Sequence, residues 1–244
     1  MTDQDPTTIR RLYGRAKGHK LRERQQALMD DLYPRLALGV PETIPGATPQ
    51  DRKAGPATLD PMALFGTVSD VWLEIGFGGG EHLAWQAEQH PHVGLIGCEP
   101  FLNGMVSLLG KVEGRQNVRV HRGDALDVLE RLPPACLGRA FLLHPDPWPK
   151  ARHAKRRFVN PGPLAALARV MKPGAELRMG TDDPTYMQWT LMQMQRQPWF
   201  DWIVDTAKDW QARVPDWPPT RYEQKALRQG KTVWYFRYRR RVAI

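Results

Sequence analysis

From residue 71 onwards, short apolar runs alternate with longer stretches in which apolar residues recur every three or four positions. The runs at 71–75, 93–97, 118–121, 140–143 and 177–180 have the length and β-branched content of buried strands. Between them the spacing predicts helices near 81–89, 101–113, 125–131, 162–171 and 184–196. Such an alternation predicts an α/β fold with a doubly wound, mostly parallel, Rossmann-like sheet covered on both faces. The late run TVWYFRYR at 232–239 is rich in β-branched and aromatic residues, and it predicts an antiparallel strand added at the sheet edge. Ahead of the alternation, residues 1–40 read as a basic arm leading into a helix with Leu28, Leu32 and Leu36 at helical spacing. Residues 41–66 hold Pro41, Pro45, Gly46, Pro49, Gly55, Pro56, Pro61 and Gly66, which predicts a connecting loop. The expected organisation is therefore 1–66 as arm, helix and loop, and 67–244 as the α/β domain.

Charge changes this picture through its distribution. The chain carries 35 Lys and Arg against 26 Asp and Glu, a formal net charge of +9. Segments 10–24, 150–157 and 221–241 hold 20 of the 35 basic residues but only Glu23 and Glu223 among the acids. The remainder, 15 basic against 24 acidic residues, has a net charge of −9. An acidic body with basic extensions suggests a polyanionic partner, with nucleic acid as the first candidate, although any one segment alone could be a solvated face. No apolar run of about 18 residues is present, and the opening MTDQDPTTIRR has no apolar core of a secretory signal. The expectation is a soluble, cytoplasmic protein without a membrane partner. Cys98 and Cys136 lack metal-ligand spacing, His82, His90 and His92 lack ligand order, and no metal site is expected. With no exposed heptad, a monomer is expected. Met187, Leu191 and Met194 read as core, and packing is favoured over base stacking for Trp199, Trp202, Trp210 and Trp217.

The candidate chemistry begins at LEIGFGGG, residues 73–80. Gly76, Gly78 and Gly80 lack Cβ atoms, so a turn there can be tight and a ligand can approach the backbone. A dinucleotide site would continue G-x-G-x-x-G, but the third position is Glu81, and Glu74 lies within the strand itself. A pyrophosphate at a helix N-terminus disfavours neighbouring carboxylates, whereas the ammonium and sulfonium of S-adenosylmethionine suit them. Glu99 ends the second strand, 23 residues beyond Gly76, where an acid can accept from both ribose hydroxyls. Asp124, in RGDA, follows the third strand and could face an adenine edge; Asp146 follows the fourth. Ligands of open α/β sheets bind beyond the carboxyl ends of the strands, and each acid could alternatively cap the helix after it.

After the fourth strand comes HPDPWPKARHAKRR, residues 144–157, in which Pro145, Pro147 and Pro149 stiffen a loop that offers Asp146 and Trp148. Lys150 and the cluster Arg152, His153, Lys155, Arg156 and Arg157 suit phosphates. Together with LEIGFGGG, Glu99 and the glycine preceding it, GDA, the TDD at 181–183, TRYEQKALRQG at 220–230 and YGRAKGHKLRERQQ at 13–26, the loop makes the chain resemble the bacterial tRNA (guanine-N7)-methyltransferase family along nearly its whole length. That resemblance implies a class I methyltransferase fold and S-adenosylmethionine contacts at Glu74, Gly76, Gly78, Gly80, Glu99, Asp124 and Asp146. It implies that Lys150, Asp182, Thr220, Arg221, Tyr222 and Glu223 contact the target nucleotide, that residues 152–157 contact RNA, and that the acceptor is a guanine in the tRNA variable loop. Pro100 and His144 depart from the residues common in the family at those positions.

The chemistry is consistent with the residues. Guanine N7 is an unprotonated lone pair, so catalysis requires alignment and charge stabilisation rather than a base. The chain has neither a Pro-Cys nucleophile, Cys136 following Ala135, nor an Asn-Pro-Pro-Tyr-like motif. Asp146 is expected to position donor or base, and Asp182 or Glu223 to accept from guanine N1–H and its amino group. A methyltransferase acting on another acceptor, a dinucleotide oxidoreductase and an inactive RNA-binding protein are the competing readings; the acids at the strand ends weigh against the last two.

Overall fold

The computed structural model describes residues 12–45 and 56–242. The first residues of the arm, with Arg10 and Arg11, and the middle of the 41–66 loop lie outside the described residues. Chain order begins with α1 (Glu23–Ala27), a single π-helical turn (Leu28–Leu32) and α2 (Tyr33–Leu36), which together form the expected first helix. Pro34 has no N–H to give the ladder, which accounts for an irregular turn just before it. Leu32 and Leu36 are buried, and Leu38 N–H donates to Val120 O, fastening this segment to the sheet.

Within the 41–66 loop, Asp60 caps a short helix α3 (Pro61–Phe65) by accepting from Met62 N–H. There follow β1 (Asp70–Ile75), α4 (Glu81–Gln89), β2 (Val93–Cys98), α5 (Leu102–Leu109), β3 (Val118–His121), α6 (Ala125–Leu129) and β4 (Leu137–Leu143). After a 3-10 turn (Ala151–Arg156) come α7 (Pro161–Val170), β5 (Met171–Thr181), α8 (Pro184–Arg196), β6 (Phe200–Trp202), α9 (Arg221–Arg228) and β7 (Trp234–Arg240). The seven strands lie in the order β3-β2-β1-β4-β5-β7-β6. β1 to β5 are parallel, and β7 is antiparallel to β5 as expected. The three-residue β6 pairs on the outer side of β7 and forms the edge itself.

Alternation within β1 sets up two cores. Val71, Leu73 and Ile75 face one layer with residues of α6, α7 and α8, while Trp72 faces the other with Leu83, Met105, Leu108 and Phe141. Glu74 shares the face of Trp72, on the side covered by α4. The order reverses between β1 and β4, each strand's successor lying on opposite sides, and that switch point opens a crevice at the carboxyl ends of the strands.

Candidate functional site

A cleft of about 640 Å³ opens at the switch point. Its floor is the chain from Glu74 to Gly78, where Gly76 and Gly78 have φ of +69° and +57°, a left-handed conformation that glycine adopts without steric penalty. A Cβ built on Gly76 would meet only open space, whereas one on Gly78 would stand 3.0 Å from Cε2 of Tyr222. Gly80, expected to contact the cofactor, is placed differently. It lies outside the cleft lining, at φ +75°, and a Cβ would collide with Leu108 Cβ at 2.6 Å, so its bare backbone lets α4 pack on α5. Gly104, for which the sequence carried no signal, lets α5 approach the glycine turn itself, its Cβ position being blocked by Gly78 O.

Four acids converge here from four successive strands: Glu74, Glu99, Asp124 and Asp146 all line the cleft. Glu99 is buried and accepts from Gly78 N–H at 2.8 Å and Phe101 N–H at 2.9 Å. Burial pushes its carboxyl up to about 7, with Asp146 and Glu74 adding to the rise and the two backbone N–H groups opposing it. The walls of the cleft raise the Asp146 carboxyl as well, with Arg15 pulling the other way. Asp124 Oδ1 accepts from Leu126 N–H at 3.0 Å, so it does cap α6 while also facing the cleft. Glu74 is 2% exposed, and its Oε2 accepts from His82 Nδ1 at 2.8 Å. Cys98 also lines the cleft; burial holds its thiol well above the usual range, and Cys136 is pushed up to about 11, neither of which suits a nucleophile.

The HPDPW loop forms one wall. His144 and Trp148 bracket it with φ of +50° and +44°, conformations that cost non-glycine residues about 1–3 kcal/mol each and persist only where the surroundings enforce them. Arg157 supplies part of that enforcement. Expected at the RNA surface, it is instead buried and donates from Nε to Pro147 O at 3.0 Å and from Nη2 to Trp148 O at 2.9 Å. Arg152 and Lys155 remain exposed, Lys155 and Arg156 stand at the cleft rim, and Lys150 is exposed outside it. The Arg156 guanidinium lies 4.0 Å from the Tyr13 ring and 4.9 Å from that of Trp148, with His153 edge-on to Trp148.

Tyr13 belongs to the described part of the basic arm, which runs across the mouth of the cleft. Leu102 N–H donates to Ala16 O, Gly18 N–H to Asn103 Oδ1, and Asn103 Nδ2 to His19 O, bringing Tyr13, Gly14 and Arg15 into the lining. The basic YGRAKGH run was legible as a phosphate-seeking segment, but its placement over the cleft depends on Asn103, for which the sequence had no signal.

The acceptor-side residues divide. Thr220 caps α9, accepting from Glu223 N–H, and with Tyr222 lines the cleft; Arg221 is exposed and stacks on Tyr222. Asp182 and Glu223 do not line it. Asp182 is held by Lys231 at 2.9 Å and His144 at 3.3 Å; burial raises its carboxyl, but these partners outweigh that and leave it below the usual range. Glu223 is fully buried, its Oε1 taken by Arg213 at 2.7 Å and the Tyr235 hydroxyl at 2.8 Å, with Oε2 unpartnered among the described residues. Trp202 and Trp210 pack with Phe236 and Tyr238, and Trp217 is buried. Among the described residues no three His, Cys, Asp or Glu side chains are placed to hold a metal ion, and no helix is long and apolar enough to cross a membrane.

Residues 69–236 match a family model described as "Putative methyltransferase". Among solved structures, the 16S rRNA methyltransferase KamB aligns over 83% of this chain and 100% of its own with a TM-score of 0.52 at 16% identity, a likeness of fold. The tRNA (guanine-N(7)-)-methyltransferase of Zymomonas mobilis is 52% identical over 238 residues, covering 97% of this chain and 96% of the relative. That of Novosphingobium aromaticivorans is 50% identical over 246 residues, covering 97% of each. With a strand order, a cleft and relatives all pointing the same way, the chain belongs to the tRNA (guanine-N7)-methyltransferase family.

Proposed function

We propose that the chain transfers a methyl group from S-adenosylmethionine to N7 of a guanine in the variable loop of tRNA. The observation that carries this is the convergence of Glu74, Glu99, Asp124 and Asp146 on one cleft at the switch point, beneath a rim bearing Lys155 and Arg156. A cleft lined with carboxylates suits a cationic donor and repels a pyrophosphate, while the exposed cations outside suit a polyanionic acceptor.

The residues present fit the donor. The open space over Gly76 and the positive-φ backbone of Gly78 form a cradle. Glu74 faces the donor's ammonium, Glu99 accepts from the ribose hydroxyls, and Asp124 presents its carboxylate to the adenine edge. The donor supplies a methyl on a sulfonium: the N7 lone pair forms the new C–N bond, the sulfur keeps the electron pair of the broken bond, and the positive charge passes to the purine. No proton moves, so Asp146 acts by position and charge, holding base and donor in line and stabilising the cationic purine. Thr220 and Tyr222 receive the base from the opposite wall. Lys150, Arg152, His153 and Lys155 contact the RNA backbone, and Arg157 holds the loop that carries Asp146. Asp182 and Glu223 hold the walls from behind, through Lys231 and His144 in one case and Arg213 and Tyr235 in the other.

Labelled methyl transfer to unmodified tRNA tests the proposal. Asp146→Ala is expected to reduce turnover by at least about tenfold, equivalent to roughly 1.4 kcal/mol of transition-state stabilisation. Near-normal turnover in Asp146→Ala, Asp182→Ala and Glu223→Ala alike overturns the site.

A further inference from the structure

Behind the cleft, on the α4 side of β1, lies a run of buried polar groups of which the chemistry above uses only Glu74. His82 and Gln86 sit one helical turn apart on α4, exposed by 1% and 0%, and Glu74 is exposed by 2%. Glu74 Oε2 is 2.8 Å from His82 Nδ1, His82 Nε2 is 3.2 Å from Gln86 Nε2, and Gln86 Nε2 donates to Asp216 O at 2.9 Å.

The proton positions follow from the fixed end. A backbone carbonyl only accepts, so the Gln86 amide must turn its nitrogen towards Asp216, even though its own Oε1 is left buried without a partner among the described residues. That nitrogen can only donate to His82 Nε2. The Nε2 atom is therefore the unprotonated one, the proton is on Nδ1, and Nδ1–H donates to Glu74. The far end is itself anchored: the Asp216 carboxylate pairs with Arg139 at 3.0 Å and Arg178 at 2.9 Å, and the Phe141 ring meets that of His82 edge-on.

We propose that His82, its tautomer set by Gln86 and the Asp216 carbonyl, is a positioning residue that orients the Glu74 carboxylate for the ammonium of the methyl donor. This rests on the assignment of Glu74 to that ammonium. With Oε2 engaged from behind, Oε1 is the oxygen turned to the ligand, and the carboxylate plane is fixed before the donor arrives. Such preorganisation matters most in a buried setting, where an unpaired carboxylate oxygen is costly and its rotation would misdirect the charge. The anchor also belongs to the segment leading into Thr220, so the acceptor-side wall and the donor-side carboxylate share one hydrogen-bonded run.

Titration calorimetry with two probes tests this. S-adenosylmethionine carries the ammonium; 5′-methylthioadenosine keeps the adenine, ribose and sulfur but lacks the amino-acid end. His82→Phe keeps a ring against Phe141 while removing the donor, and it is expected to weaken S-adenosylmethionine by about tenfold or more while leaving 5′-methylthioadenosine within about twofold. His82→Asn, whose amide nitrogen has the reach of Nδ1, is expected to retain most of the affinity. In a Glu74→Gln background His82→Phe is expected to add almost nothing, since the two act through one interaction. Equal losses for both probes, or full additivity with Glu74→Gln, would mean that His82 serves packing alone and overturn the proposal. If Glu74→Gln weakens only S-adenosylmethionine while His82→Phe is silent, this inference falls by itself. If Glu74→Gln spares S-adenosylmethionine or weakens both probes alike, the Glu74 assignment falls, and the inference with it.

Discussion

Replacing Glu99 with Gln keeps the shape of the side chain but removes a carboxyl that burial has pushed from its ordinary 4.5 up to about 7. In the folded protein without donor, Glu99 therefore retains its proton over a range where the unfolded chain has lost it. Its contribution to stability is fully present below about pH 4.5 and is lost as the pH rises through about 7. Between about pH 5 and about pH 8 that loss amounts to about 2.5 kcal/mol. Urea denaturation of the donor-free protein measures it: the stability of wild type relative to Glu99→Gln should fall by roughly that amount across the interval. Donor binding should run the other way, because ribose hydroxyls donate to the ionised carboxylate. The Kd for S-adenosylmethionine should be flat above about pH 7 and rise by up to about tenfold per pH unit below it, with proton release on binding that Glu99→Gln abolishes. A wild-type stability difference that stays level with pH, together with proton release unchanged in Glu99→Gln, would mean that Glu99 is already ionised in the donor-free protein.

Other consequences follow from individual contacts. Gly80→Ala must place a methyl against Leu108 at a positive φ, and a loss of about 1–3 kcal/mol from overpacking is expected in the same denaturation assay; unchanged stability would contradict the packing role. Arg152→Ala with Lys155→Ala should leave thermal stability intact and reduce the salt slope of tRNA binding by about two. Arg157→Ala should do the reverse, lowering stability and turnover with the slope unchanged, because its donors go to Pro147 O and Trp148 O. Lys231→Met removes a partner that holds the Asp182 carboxyl low. Stability present above the ordinary Asp range and lost on acidification should therefore diminish, and an unaltered acid-unfolding curve would count against the pairing.

What the sequence could reveal was set by periodicity and by strand ends. The core strands show as apolar runs because both faces are buried, and the acids at their carboxyl ends mark the cleft because parallel strands bring those ends together. The start of β4 was hidden by Arg139, whose guanidinium lies 4.3 Å over the Trp72 ring, so a charge is accommodated inside the sheet. The start of β5 was masked by Pro173 and Gly174, where the register with β4 shifts between Leu137 and Arg139. Side-chain direction is a separate matter. Arg157, Asp182 and Glu223 belong to motifs rich in charge, yet particular tertiary partners, not the local pattern, turn them inward: Pro147 O and Trp148 O for Arg157, Lys231 and His144 for Asp182, Arg213 and Tyr235 for Glu223. His82 offered no local signal at all, since its role depends on Gln86 meeting a carbonyl 130 residues away.

The atom that receives the methyl group defines the activity. The most direct measurement incubates the protein with unmodified tRNA and S-adenosylmethionine, then treats the RNA with borohydride and aniline, which cleaves at N7-methylguanosine. Cleavage is expected at a guanine of the variable loop and depends on both protein and donor. Labelled methyl incorporated without that cleavage would contradict this expectation, placing the methyl on another atom.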